Sequence, residues 1–144
     1  MTSSCANSLA PELPAHKKTG MAEPVLREIH ARLESFAATG QTGAIDLAGM
    51  PLTRADREAL EAFLGRGEVS ATLDVAGRSE IWETAYSGVW WVRHWGGDAV
   101  ASELIEITAI PEILKTDRTD AAGAVKRLAL TLQQRDRGSN GDGA

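Results

Sequence analysis

Glu68-Val-Ser-Ala-Thr-Leu-Asp-Val75, Ser79 to Tyr86 and Val89-Trp-Trp-Val-Arg-His-Trp95 together decide the fold. In the first run Val69, Ala71, Leu73 and Val75 face one way and Glu68, Ser70, Thr72 and Asp74 the other, the period of a half-buried antiparallel strand. Ala76-Gly77-Arg78 turns the chain into the second run, and Ser87-Gly88 turns it into the third. Gly96-Gly97-Asp98 turns it once more, into a β-branched run from Ala101 to Ile110 with Ile105 and Ile107 on one face. Pro111 ends that strand. The reading is a four-stranded, mainly antiparallel sheet.

Helices flank this meander on both sides. Val25, Leu26, Ile29, Leu33 and Phe36 recur at three- and four-residue steps from Met21 onward, with Pro24 suited to the first turn and Gly40 to the end. Gly43 to Leu52 is a connector anchored by Ile45 and Leu47, or a short edge strand. A second helix starts at Thr53, whose hydroxyl can cap the backbone amide near Asp56, and runs through Ala59, Leu60, Phe63 and Leu64 to Gly65. After a helical turn at Pro111 to Lys115, a last helix spans about Asp120 to Gln133, with Val125, Leu128 and Leu132 on one side. The expected class is α+β, two N-terminal helices and one C-terminal helix gathered on one sheet face. The domain is expected over residues 21–133, between a disordered tail at 1–20 and a flexible one at 134–144.

Composition narrows the function. At 144 residues, 43% hydrophobic and 24% charged, the chain has room for one ordinary core. A net charge of -5 without a long run of Lys and Arg argues against nucleic acid as a partner. Cys5 is the sole cysteine, so the chain alone builds no disulfide, zinc ribbon or four-cysteine cluster. With no secretory leader and no apolar run long enough to span a bilayer, a cytoplasmic protein without a membrane partner is expected.

The four tryptophans, Trp82, Trp90, Trp91 and Trp95, and the only tyrosine, Tyr86, cluster on one hairpin. A two-residue turn at Ser87-Gly88 places Tyr86 opposite Val89, Thr84 opposite Trp91 and Trp82 opposite Arg93, all on one face, with Trp90 and Ala85 on the other. Neighbours on a strand point to opposite sides and helices commonly cover one side only, so one indole is expected to be partly exposed. A tryptophan brings roughly 150 to 250 Å² of contact area and is enriched at binding hot spots. The alternative is that both adjacent indoles serve structure. Arg93 is a candidate for a cation-π contact with Trp82 or for a carboxylate on a partner. His94, on the Trp90 face beside Ile81, lacks metal partners at conventional spacing in His30 and His16. Glu103 and Glu106, three apart on a strand, make no acid/base pair, and neither Gly96-Gly97 nor Ser87-Gly88 has the surroundings of a phosphate loop or a nucleophile elbow. No catalytic, cofactor or metal residues are assigned.

The order and spacing of several short runs carry a family resemblance. Gly43-Ala-Ile-Asp-Leu with Pro51-Leu52-Thr53, Leu64-Gly-Arg-Gly-Glu-Val-Ser70, Glu83-Thr84, Ser87-Gly-Val-Trp-Trp-Val-Arg-His94, Leu104-Ile-Glu-Ile107 and Ile110-Pro111 resemble the C-terminal domain of HupH/HyaF-type hydrogenase expression proteins, in the short HupJ/HoxT-like form. The resemblance covers about residues 25 to 130. It implies a non-catalytic accessory protein, a chaperone or scaffold in maturation of uptake nickel-iron hydrogenase. Its partner would be a hydrogenase subunit precursor or another maturation protein. The contact residues to be expected are Trp90, Trp91, Arg93 and His94, rimmed by Glu83 and Glu106. A rival reading is a small metal or cofactor carrier in the same pathway, and a bare aromatic sheet face equally suits a homodimer.

Overall fold

The computed structural model describes residues 16–74 and 76–141. In chain order these hold α1 (Ala22–Thr39), β1 (Gly43–Asp46), α2 (Arg54–Leu64), β2 (Ser70–Asp74), β3 (Arg78–Glu83), β4 (Val89–Gly96), β5 (Ala99–Ile107), a 3₁₀ turn at Glu112–Leu114 and α3 (Arg118–Gly141). The chain gathers into two compact units, divided between Pro111 and Glu112.

The first unit is built on a sheet of order β1-β5-β4-β3-β2 with every neighbouring pair antiparallel. It has five strands, not the expected four. The added one is β1, whose Ile45 lies opposite Ile105 of β5. Its strand signal is only four residues long and its partner lies far along the chain, so local period alone could not distinguish it from a connector.

The tryptophan hairpin has a different register from the one a two-residue turn gives. Trp82 faces Trp91, Glu83 faces Trp90 and Glu80 faces Arg93. The loop is longer because the Thr84 N–H donates to the Val89 carbonyl at 2.9 Å and the Val89 N–H donates back to the Tyr86 carbonyl at 3.0 Å, closing a tight turn beyond the ladder. A slip of two residues preserves the face of every side chain, so the expected division into two faces survives.

Helices α1 and α2 bury one sheet face. Val25 and Ile29 from α1 and Leu60 and Leu64 from α2 pack with Trp82, Val89, Trp91, Ile105 and Ile107. Gly40 ends α1 in the left-handed region at φ 79°, its N–H bonded to the Phe36 carbonyl at 2.8 Å. The Thr53 hydroxyl caps the Asp56 amide at the start of α2, as the sequence suggested, and the Asp56 side chain bonds back to the Thr53 N–H to complete a capping box. In β2, Ala71 and Leu73 are half-buried and alternate with exposed neighbours. Val69 is exposed ahead of the strand, and Val75 lies outside the described residues.

Two expectations about the ends change. Most of the stretch read as a disordered lead-in, residues 1–15, lies outside the described residues, but Lys17 to Thr19 are bonded to the start of α2. In the second unit α3 runs past Gln133 to Gly141, so the polar tail as far as that glycine is helical. None of its residues is buried, and Val125, Leu128 and Leu132, expected on one side of the helix, are exposed. Residues 142–144 lie outside the described range.

Candidate functional site

The six residues expected to make an exposed contact set divide between the two sheet faces. Trp91 and Arg93 point to the helix-covered face, while Trp90, His94, Glu83 and Glu106 lie on the other, where Glu83, Trp90 and Glu106 form one row across β3, β4 and β5. The expectation of a partly exposed indole is not met. Trp91 is 0% and Trp90 5% exposed, and Ile81 and Val92 beside Trp90 are buried as well, so both faces of the hairpin are closed. The error lay in taking the face away from α1 and α2 to be open at Trp90, which is buried there together with Ile81 and Val92. Trp90 also finds a partner for its polar atom, its indole N–H donating to the Thr108 carbonyl at 3.2 Å.

Arg93 is committed inside the fold. Its Nε donates to Glu103 at 2.6 Å and its terminal nitrogen donates to Glu61 of α2 at 2.9 Å, while its guanidinium lies 5.0 Å from the Trp82 ring centre and 5.7 Å from that of Trp91. Burial alone would pull the guanidinium pKa down, but the bonds from Glu103 and Glu61 outweigh it and hold the pKa above its ordinary value. The opposition to Trp82 foreseen from the sequence is real as a contact, but it arises from a neighbouring register position. Trp82 and Trp91 stack at 5.6 Å, 7° from parallel, and Arg66 covers Trp82 at 4.0 Å.

Glu103 is the residue that sequence reasoning passed over. Only 2% exposed, it accepts the Trp91 indole N–H at 2.8 Å as well as Arg93, and Arg57 of α2 stands 3.8 Å away. A signal existed. Glu103 shares the inward parity of Ile105 and Ile107, and an acidic residue at a core position must be paired. The group can therefore fasten α2 to the sheet, with Glu61 and Glu103 bridged by one arginine.

His94 sits opposite Ser79, its Nδ1 2.6 Å from the Ser79 hydroxyl. Ser79 is 7% exposed and the two are register partners, so this contact ties β3 to β4 rather than presenting a nucleophile. Among the described residues no group of three His, Cys, Asp or Glu side chains is placed to hold a metal ion. No helix among them is long and apolar enough to cross a membrane.

The surface that is open lies elsewhere in the first unit. A cleft of about 500 Å³ is lined by Leu26, Ile29 and Leu33 of α1, Phe63 and Leu64 of α2, and Tyr86 of the β3–β4 turn, with Val89 also lining it. Phe63 is 60% and Tyr86 45% exposed, and the two rings stack at 6.3 Å, 10° from parallel. Glu23, Arg27 and His30 border it on α1, Glu23 and Arg27 as an ion pair at 2.7 Å. Gly88 makes the turn possible, since its φ of 91° suits glycine and a β-carbon there would come within 3.2 Å of the Leu33 side chain. Sequence reading named Phe63 only among the residues through which the second helix runs, and Tyr86 drew attention only as a member of the tryptophan hairpin.

Residues 20–134 match the model of the HupH hydrogenase expression protein C-terminal conserved region. The chain belongs to this family. It is 29% identical over 110 residues to the hydrogenase expression/formation protein HoxQ of Azotobacter vinelandii, covering 74% of this chain and 39% of that one. Against HupH of Rhodobacter capsulatus the identity is 31% over 95 residues, covering 65% and 34%. The chain thus spans less than two fifths of the length of these relatives. A solved structure of the hydrogenase expression protein HupH from Thiobacillus denitrificans superposes with a TM-score of 0.73 at 45% identity, covering 83% of this chain and 99% of that one. The resemblance read from the sequence to the HupH C-terminal family is thereby established.

Proposed function

We propose that this protein is a non-catalytic accessory factor in hydrogenase maturation, a chaperone or scaffold that binds a subunit precursor of an uptake nickel-iron hydrogenase or another maturation protein in the cytoplasm. The contact surface is the cleft between α1, α2 and the Tyr86 turn. The observation that carries this reading is the Phe63–Tyr86 pair, two large rings kept in solvent at the mouth of an apolar cleft. Exposed aromatic area beside a concave apolar surface is the usual anatomy of a protein-binding hot spot, where truncation costs on the order of 2 kcal/mol. The family membership supports the pathway, and the internal pairing of Arg93 and Glu103 supports a structural use of the tryptophan hairpin.

The test is capture from cells that make the hydrogenase. A tagged wild-type chain should retain a hydrogenase subunit or maturation protein, and Phe63→Ala with Tyr86→Ala should lose it while staying folded. Equal capture by both chains would remove the cleft from the contact, and a captured set without any hydrogenase component would overturn the function.

A further inference from the structure

We propose that Lys17 to Thr19 form a clasp that holds α2 in place and so regulates the cleft to which Phe63 and Leu64 contribute, an inference that rests on the cleft being the contact surface. The clasp is a closed set of hydrogen bonds. The Thr19 N–H donates to one oxygen of the Asp56 carboxylate at 2.7 Å, and the Thr19 hydroxyl donates to the other at 2.6 Å. The Thr53 N–H donates to the latter oxygen at 3.1 Å. In return the Thr53 hydroxyl donates to the Lys17 carbonyl at 2.7 Å while accepting the Asp56 N–H at 3.0 Å. Both side chains of the capping box are thus shared between the helix they start and a segment far from it in sequence.

Asp56 is only 1% exposed and Thr53 3%, so the clasp closes over groups that would otherwise need water. Burial tends to raise the Asp56 pKa, but the bonds from Thr19 and Thr53 outweigh it and bring it down to about 2. Near neutral pH the carboxylate is therefore charged while the clasp is shut, which strengthens each bond it accepts. Helix α2 has eleven residues and three buried ones, Asp56, Leu60 and Leu64, and of these Asp56 is the one that anchors its first turn. Phe63 and Leu64 lie at its other end. Opening the clasp frees the end of α2 remote from the cleft, and by reciprocity an occupant of the cleft that steadies α2 also tightens the clasp.

Lys17 and Lys18 make the clasp readable by trypsin, because the Lys17 carbonyl that trypsin must attack is itself bonded to Thr53. Thr19→Val removes the hydroxyl bond to Asp56 and leaves the Thr53–Asp56 capping box intact, so the variant keeps its fold. Cleavage after Lys17 and Lys18 in the full chain should quicken by about tenfold, the worth of one charge-assisted hydrogen bond in an opening equilibrium. Amide hydrogen exchange in residues 57–64 should quicken with it, and Thr19→Ser should restore both. Unchanged cleavage in Thr19→Val would overturn the clasp. Faster cleavage with unchanged exchange in α2 would overturn its hold on the helix. Both readouts use the protein alone, so they stand or fall separately from client capture by the Phe63 and Tyr86 variants.

Discussion

The tryptophan hairpin and the Phe63–Tyr86 cleft hold most of the aromatic surface of the first unit, and they use it in opposite ways. In the hairpin the indoles of Trp90, Trp91 and Trp95 each give their N–H to an acceptor in or just beyond the sheet, the Thr108 carbonyl, Glu103 and Glu80. Trp82 alone has a buried indole nitrogen without a partner, and it is held between Trp91 and Arg66. At the cleft the rings of Phe63 and Tyr86 meet each other and solvent. The difference teaches that aromatic density marks where a fold is tied, whereas a pair of rings left in water marks where it is open.

This contrast is easiest to break at Trp91. Trp91→Ala should cost about 4 kcal/mol, read as a lower denaturant midpoint, because a buried indole and its stack on Trp82 go together. A loss under about 1 kcal/mol would show that the hairpin is not the core. Glu103→Ala should cost about 3 kcal/mol by leaving the half-buried Arg93 and the buried Trp91 indole N–H each with one partner fewer, again read from the denaturant midpoint. A neutral result would dissolve the fastening of α2 to the sheet.

Acid titration sharpens the comparison at the other end of α2. The Asp56 pKa is depressed in the folded state, so its contribution to stability is complete above the ordinary carboxylate value of 3.8 and is lost as pH falls toward about 2. In Thr19→Val that pKa sits closer to the ordinary value, so the acid limb of a stability–pH curve should be shallower between pH 4 and 2. Superimposable curves would refute the assignment. The smallest effect on stability belongs to the cleft. Tyr86→Ala should change the midpoint by no more than about 0.5 kcal/mol, the range for exposed positions, while abolishing client capture.

Much of this was legible in the residues. The period-two run at 69–75, the turn glycines and the Thr53 cap lead to the sheet strands β2 to β5 and to α2, because these signals are local. The pairing of Ile45 with Ile105 is not local, so the fifth strand stayed half-seen. The site was less legible than the fold. Alternation tells which face Trp90 and Trp91 take, but whether a face is covered depends on contacts that no window of sequence contains. Phe63 is the converse case: it fits the apolar stripe of α2 and yet stands in solvent.

The strand order also sets a timetable. β2, β3 and β4 each lie beside the next strand in the chain and can pair with it as the chain leaves the ribosome, but β1 is bonded only to β5, the last strand to be made. The first strand must therefore wait with its edge unfilled until residue 107 has emerged, an interval in which a nascent chain is open to wrong partners.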